Sequence, residues 1–474
     1  MGMGAAYGLD KSKARRDLGT DDGGPMTERR QITHDGSGQQ VGRSVTTTLV
    51  AAATAAFALI AGSVAASAAA VASPPSPVIA GIPIDFILFA LTLLGVALFH
   101  HHTLYVALGG LATILLYKLA MTGFTHGDGL VGVGLHFAHE WVVLANLFLL
   151  LVGFALLSRH FEASKIPDAM PALLPDDWTG GFLLLVVVFV LSAFLDNIAA
   201  AIIGATMAKH VFKGRVRVGY LAAIVAASNG GGAGSVVGDT TTTMIWISGV
   251  SPLKVLPAYV ASGVALIVFG IPAAIQQQRF APIVKDPPKG LQIEWARLAI
   301  VALILVAAIA ANVTANVMFP AVLDRWPVLG LAVWAVLLGT AAWRRPDWSV
   351  VPEAAKGSVF LLSLVACASL MPVDKLPAAS WPATMGLGFV SAVFDNIPLT
   401  ALALKQGGYD WGMLAYAVGF GGSMIWFGSS AGVAVASLFP EARSVGRWLA
   451  EGWYVVPAYV VGFAAMLLLV GWHP

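Results

Sequence analysis

From Ile82 onward the chain is a close succession of apolar segments, mostly about the 20 residues that an α-helix needs to cross a bilayer, with 218–247 and 411–438 too long and too glycine-rich to be simple spans. They fall near 82–99, 103–121, 137–157, 181–208, 218–247 and 255–275, and then near 296–317, 327–343, 356–371, 381–404, 411–438 and 453–471. A backbone in lipid must satisfy its own polar groups, so such segments fold as helices. The alternating ten-residue segments of an outer-membrane barrel are absent. Composition agrees, with 58% hydrophobic residues, 11% charged and a mean hydropathy of +0.81, against about 25% charged in soluble domains. The expected fold class is an all-α polytopic membrane protein. Net charge is +2, too small to point to nucleic acid, so the lipid bilayer is the expected partner. Cys367 is the single cysteine, which excludes an intrachain disulfide and reads as packing.

Residues 1–44 are polar and read as a disordered N-terminus, with Met26 an alternative start. Residues 45–73 are alanine-rich, end near Ala66-Ser67-Ala68 and read either as a signal peptide or as a first transmembrane helix. Residues 80–276 form a first transmembrane repeat, 277–292 a linker with Pro287-Pro288, and 293–474 a second repeat. Basic residues orient the halves. The loop after the fourth segment holds Lys209, Lys213, Arg215 and Arg217, whereas its counterpart holds Lys405 and Asp410. One loop later the balance reverses, with Lys254 in the first half against Arg443 and Arg447 in the second. The positive-inside rule therefore puts corresponding loops on opposite sides. That is the pattern of two inverted-topology repeats.

Both halves place a carboxylate inside an apolar run. The first reads Ser192-Ala193-Phe194-Leu195-Asp196-Asn197-Ile198, the second Ser391-Ala392-Val393-Phe394-Asp395-Asn396-Ile397. An ionisable group at bilayer depth costs roughly 2.5–3.5 kcal/mol on insertion scales, so its default meaning is functional. The serines lie four residues before the aspartates, on the same helix face, and fit ligation and bonding back to their own helix equally well.

A second unusual stretch runs from Ser228-Asn229 through Gly238-Asp239-Thr240-Thr241-Thr242-Thr243. Five of the nine residues from Gly230 to Gly238 are glycine, each disfavoured in a helix by about 1 kcal/mol relative to alanine. The reading is a re-entrant hairpin turning at Ser228-Asn229, then a discontinuous helix with its gap at Gly238-Asp239-Thr240. Broken helices offer carbonyls to cations and N-termini to anions, and threonine hydroxyls add oxygen ligands. The alternative is a glycine-lined packing face whose threonines bond their own helix. In the second half, Gly421-Gly422-Ser423 forms the corresponding tip, and Gly428-Ser429-Ser430-Ala431-Gly432 matches Gly234-Ser235-Val236-Val237-Gly238 in spacing but carries no acid. Three deep carboxylates remain, Asp196, Asp239 and Asp395, with no evident basic partner in the matching segments. In low dielectric a carboxylate prefers its protonated form until a cation arrives, and that competition is a physical basis for exchange.

Histidines cluster at His100-His101-His102 and at His136, His139 and Glu140. Metal binding, interfacial anchoring and proton response are all open to them, and the His-Glu-x-x-His pattern of a zinc protease is missing.

Asp196-Asn197-Ile198-Ala199-Ala200-Ala201, Ser228-Asn229 with its glycines, and Gly238-Asp239-Thr240-Thr241-Thr242-Thr243 resemble the ion transporter superfamily. Within it the chain looks like the D-type sodium/proton antiporters and the citrate transporters of the citrate–metal–proton symporter group. Asp395-Asn396-Ile397-Pro398 is similar to the matching element of the arsenite pumps. The resemblance covers about residues 80–474. It implies two inverted repeats, each with a re-entrant hairpin and a discontinuous helix, in a homodimer of the bacterial cytoplasmic (inner) membrane. Its implied ion and substrate residues are Ser192, Asp196, Asn197, Asn229, Asp239, Thr241, Thr242, Ser391, Asp395, Asn396 and Ser429 or Ser430. Ser228, Thr240 and Ser423 join them from the reading of the tips and the gap, and sodium is assigned to Asp196, Asp239 and Asp395. The chain lacks the Ser-Asn-Thr of the dicarboxylate branch at both tips.

The expected function is secondary active transport, as sodium/proton antiport, with transport of citrate or a related organic anion as the alternative. No cofactor beyond the coupling ions, protons and sodium, is expected. Three acids without a basic partner repel a free trianion, which favours the cation. An intramembrane enzyme would leave the duplicated Asp-Asn unexplained, and a channel fits paired broken helices less well than alternating access.

Overall fold

The computed structural model describes residues 77–79, 81–99, 102–125, 127–169, 174–284, 292–323 and 325–474. The expectations for 1–44, for 45–73 and for His100 and His101 fall outside them, as does part of the linker, 285–291. The described chain is helical apart from one two-residue strand pair, Val78–Ile79 with Ile82–Pro83.

The helices of the first half are α1 (Ile84–Leu98), α2 (Thr103–Tyr117), α3 (Gly129–Ala163), α4 (Trp178–Ser192), α5 (Asn197–Val211), α6 (Val218–Ala233), α7 (Thr240–Ile247) and α8 (Ala258–Phe280). Those of the second half are α9 (Trp295–Met318), α10 (Val328–Thr340), α11 (Val351–Ser369), α12 (Trp381–Ser391), α13 (Asn396–Gln406), α14 (Trp411–Gly421), α15 (Ser430–Leu438), α16 (Val445–Glu451) and α17 (Val455–Leu469). Among the described residues five helices are long and apolar enough to cross a membrane, or six if the bent pair α16–α17 is one span. The protein is an all-helical membrane protein.

Four of the apolar segments are divided, two of them, 218–247 and 411–438, as their length and glycine content predict. The run 181–208 breaks into α4 and α5, and 381–404 into α12 and α13, each time just before the asparagine of the Asp-Asn pair. Asp196 and Asp395 hold the N-cap positions with nearly the same backbone, φ −52° and ψ 139° against φ −53° and ψ 142°. The runs 218–247 and 411–438 divide at 234–239 and 422–429.

The hairpin turn expected at Ser228-Asn229 is not there. Helix α6 runs without interruption to Ala233 and is buried along its whole length, as a helix apolar or small on every side must be. The glycines are tolerated because packing demands them. A Cβ on Gly231 would stand 2.0 Å from the Phe189 carbonyl oxygen of α4, and one on Gly232 would stand 2.5 Å from that of Gly238. Close approach of α4 and of the chain break outweighs the propensity lost at each glycine.

Packing in one half recurs in the other. Helix α4 packs on α6, and α12 on α14; α2 packs on α11, and α3 on α10; α5 packs on α15, and α7 on α13. Helices α6 and α14 touch at the centre, and α8 lies along α17. Most of these pairs cross between halves, so the two halves share one core.

Candidate ion site

Three helix N-termini carry the three deep aspartates. Asp196 precedes α5, Asp239 precedes α7 and Asp395 precedes α13. A helix N-terminus holds unsatisfied N–H groups and about half a positive charge, which suits an anionic cap. The Thr241 N–H donates to Asp239 Oδ1 at 2.9 Å, and the Ile397 N–H to Asp395 Oδ1 at 3.1 Å. Asp196 makes no side-chain cap bond.

Asp239 is the centre of the arrangement and only 1% exposed. Asn197 Nδ2 donates to its Oδ2 at 3.3 Å, and Asn396 Nδ2 approaches both of its oxygens at 3.4 and 3.5 Å. An ionised carboxylate only accepts, so both amides must turn nitrogen toward it. Asn197 also donates to Asn229 Oδ1 at 3.0 Å, and Asn229 Nδ2 donates to Ser423 Oγ at 3.0 Å and Ser429 Oγ at 3.1 Å. One buried network therefore joins α5, α6 and α7 of the first half to α13, α14 and α15 of the second. Among the described residues none of the three aspartates is in an ion pair.

The flanking aspartates line two different cavities. Asp196 lines a small cavity with Thr240, Thr243 and Val237. Asp395 lines a larger one, about 170 Å³, between α1, α2, α11 and α15, and accepts from Ser430 Oγ at 3.2 Å. Among the described residues no three His, Cys, Asp or Glu side chains group closely enough to hold a metal ion.

The expected hydroxyls divide. Ser423, Ser429 and Ser430 join the network or Asp395, and Thr240 lines the Asp196 cavity. Ser228 Oγ donates to Val225 O within its own helix, and Ser391 Oγ to Val418 O at 2.6 Å. Thr242 Oγ1 is turned to the carbonyls of Ser235 and Asp239, where it ties the break together. Ser192 Oγ and Thr241 Oγ1 are buried with no hydrogen-bond partner among the described residues. His136 Nε2 lies 2.9 Å from Ser369 Oγ, linking α3 to α11 away from this site.

Register between the halves also differs from the spacing match. Ser429 caps α15 at φ −143° and ψ 155°, and Asp239 caps α7 at φ −142° and ψ 141°. A Cβ on Gly238 would meet Ser192 O and one on Gly428 would meet Ala392 O, while Gly232 and Gly422 face Gly238 O and Gly428 O respectively. Gly428-Ser429-Ser430 therefore stands where Gly238-Asp239-Thr240 stands, four residues beyond the expected Gly234-Ser235-Val236. In this register Asn229 corresponds to Gly419, a residue the sequence did not single out. A Cβ there would stand 3.3 Å from Asp239 Oδ2, so the second half leaves out a side chain where the first half's carboxylate needs room.

No family model matches the chain. It is 28% identical over 339 residues to sodium/proton antiporter 1 of Arabidopsis thaliana, covering 62% of this chain and 56% of that protein. It is 27% identical over 395 residues to the Na(+)/H(+) antiporter NhaD of Vibrio parahaemolyticus, covering 70% of this chain and 91% of that protein. The chain is similar to sodium/proton antiporters. It matches little more than half the length of the plant relative. Both relatives are named as antiporters, and together with the apolar helices they support a multi-pass membrane protein.

Proposed function

We propose that the chain exchanges sodium for protons across a bacterial cytoplasmic membrane, with Asp239 as the central carboxylate and Asp196 and Asp395 as flanking ones. The observation that carries this reading is a buried carboxylate contacted by asparagines from both halves, with no basic side chain paired to it among the described residues. Three N-termini at about half a charge each offset roughly half of three carboxylates. The remainder calls for a bound cation or for protons, and trading one for the other is the exchange. Asn197, Asn229 and Asn396 can turn amide oxygens to a hard cation, which prefers oxygen ligands.

Two inverted-topology repeats, 80–276 and 293–474, complete the proposal. The recurring helix contacts and the matched caps at Asp196 and Asp395 support it, and so does the reversed balance of basic residues. The break before α7 and its counterpart before α15 would serve as the discontinuous elements that let one half move against the other. Nothing at the site favours an organic trianion.

The test is transport by the purified protein in proteoliposomes, with sodium-22 and labelled citrate followed in parallel. A pH gradient should drive sodium-22 movement and leave citrate outside. Citrate counterflow without sodium movement would replace this reading with organic-anion transport.

A further inference from the structure

Away from the aspartates, the loop 212–217 meets the end of α8 in a cavity of about 590 Å³ lined by Arg217, Arg279, Gln276, Pro272, Ile275 and Phe280. Its walls are of two kinds. Pro272, Ile275 and Phe280 give apolar surface on a helix counted among the membrane spans, while Arg217 and Arg279 give charge at that helix's end. The cavity is therefore at the depth where hydrocarbon gives way to headgroups.

The cationic side is built rather than incidental. Buried Gln277 accepts from the Arg217 N–H at 2.8 Å and donates to Arg215 O at 2.9 Å, which staples the loop to α8. That staple sets both guanidiniums against one ring, Arg215 at 5.3 Å and Arg217 at 5.7 Å from the centroid of Phe280. Glu451 is the carboxylate that meets Arg217. It pairs with Arg217 at 3.3 Å and with Arg447 at 3.1 Å, so one negative charge is shared between two arginines. Among the described residues Arg215 and Arg279 have no ion-pair partner. Arginines needed only to cap α8 or to balance Glu451 would not require this surplus beside an open cavity.

We propose that this cavity binds the phosphate of an anionic phospholipid, with the headgroup at Arg279, Arg215 and Arg217 and an acyl chain along Ile275 and Pro272. A guanidinium fork matches phosphate oxygens. The loop is also the one whose positive charge predicts a cytoplasmic position, facing the leaflet where anionic lipid attracts basic side chains. The site is separate from the aspartate network and does not depend on which ion is exchanged.

The experiment titrates delipidated full-length protein in detergent with phosphatidylglycerol, phosphatidylcholine or inorganic phosphate, reading the thermal unfolding midpoint. Phosphatidylglycerol should raise the midpoint saturably and phosphatidylcholine should not. Arg279→Gln should weaken the apparent affinity about fivefold, the contribution of one basic side chain near an anionic surface, and Arg279→Lys should restore most of it. Exposed Lys209, at the same end but outside the cavity, provides the control, and Lys209→Gln should titrate like the parent. The proposal is overturned if the Arg215→Gln/Arg279→Gln protein binds like the parent, or if Lys209→Gln weakens binding as much. An equal response to inorganic phosphate would assign the site to a soluble anion and overturn the lipid.

Discussion

Asp239 and Ser429 are the same structural position in the two halves, each capping a short helix after a glycine whose missing Cβ lets a carbonyl approach. Two things distinguish them. The first half has a carboxylate at the cap and the second a hydroxyl, and Asn229 hydrogen-bonds Ser429 while its own counterpart, Gly419, makes room for Asp239. A near-symmetric backbone thus carries one central charge instead of two. Two facing carboxylates in a dry site would repel each other, and a single one can be shared by asparagines from both halves.

All three aspartates hold helix N-cap positions, and Asp239 and Asp395 accept cap bonds there, so loss of activity on simple truncation would not separate capping from ion handling. Asparagine caps a helix about as well as aspartate, which makes Asp→Asn the informative change. Asp196→Asn and Asp395→Asn should leave expression and thermal midpoint near the parent while sodium-driven proton movement falls at least tenfold. Asp239→Asn should go further, because its new amide nitrogen would face two amide donors; unfolding should come earlier by a measure of about 1–3 kcal/mol. An Asp239→Asn protein that exchanges at the parental rate with an unchanged pH profile would remove Asp239 from the mechanism.

Much of this was legible in the sequence. The apolar segments, the two Asp-Asn pairs and the presence of breaks follow from periodicity and from the cost of charge in lipid. The location of the turn did not. Glycine propensity argues against a helix through Gly230-Gly231-Gly232, and only the Phe189 and Gly238 carbonyls pressed against those Cα atoms show why the helix continues. Register between the halves was hidden because glycine spacing allows two matches and only the caps choose. Gly419 was invisible because its significance is the space it leaves for a side chain on another helix. Ser228 and Thr242 could be picked out by residue type, and the carbonyls to which their hydroxyls donate are set by the fold.

Inverted topology predicts that the ends of α5 and α13 lie on opposite sides of the membrane. Cysteines can be placed at exposed Lys209, in the last turn of α5, and at exposed Ala378, whose neighbour Ala379 packs near Gly408 in the loop after α13. The native Cys367 is buried and should stay silent. A membrane-impermeant maleimide added outside intact cells should label position 378 and reach 209 only after permeabilisation. Labelling of both from outside would end the inverted-repeat account.

Asn197 and Asn396 approach one carboxylate from different halves, so their contributions should be coupled. Removing either amide leaves Asp239 one donor short, and removing both leaves mainly the Thr241 N–H. Asn197→Ala and Asn396→Ala should each weaken sodium dependence, and the double change should depart from additivity by about 0.5–3 kcal/mol. Strict additivity in a double-mutant cycle on apparent sodium affinity would mean that the two asparagines act at separate places.

Two glycines in the central helices should respond to the same substitution in opposite ways. At Gly231 a methyl group would stand 2.0 Å from the backbone oxygen of Phe189, and backbone cannot swing aside. Gly231→Ala must then push α4 from α6, an overpacking worth about 1–3 kcal/mol or more, and should show as poor expression and a lowered midpoint. At Gly419 the methyl would stand 3.3 Å from Asp239 Oδ2, a contact that a shift of a few tenths of an ångström relieves. Gly419→Ala should therefore express normally while its sodium affinity and the pH dependence of exchange change, because the shift falls on the one carboxylate both halves share. The pair separates packing from function within one experiment, measuring expression, midpoint and exchange side by side. If Gly419→Ala exchanged like the parent while Asp239→Asn did not, the carboxylate would have slack at that face, and the space left by Gly419 would be packing rather than part of the ion site.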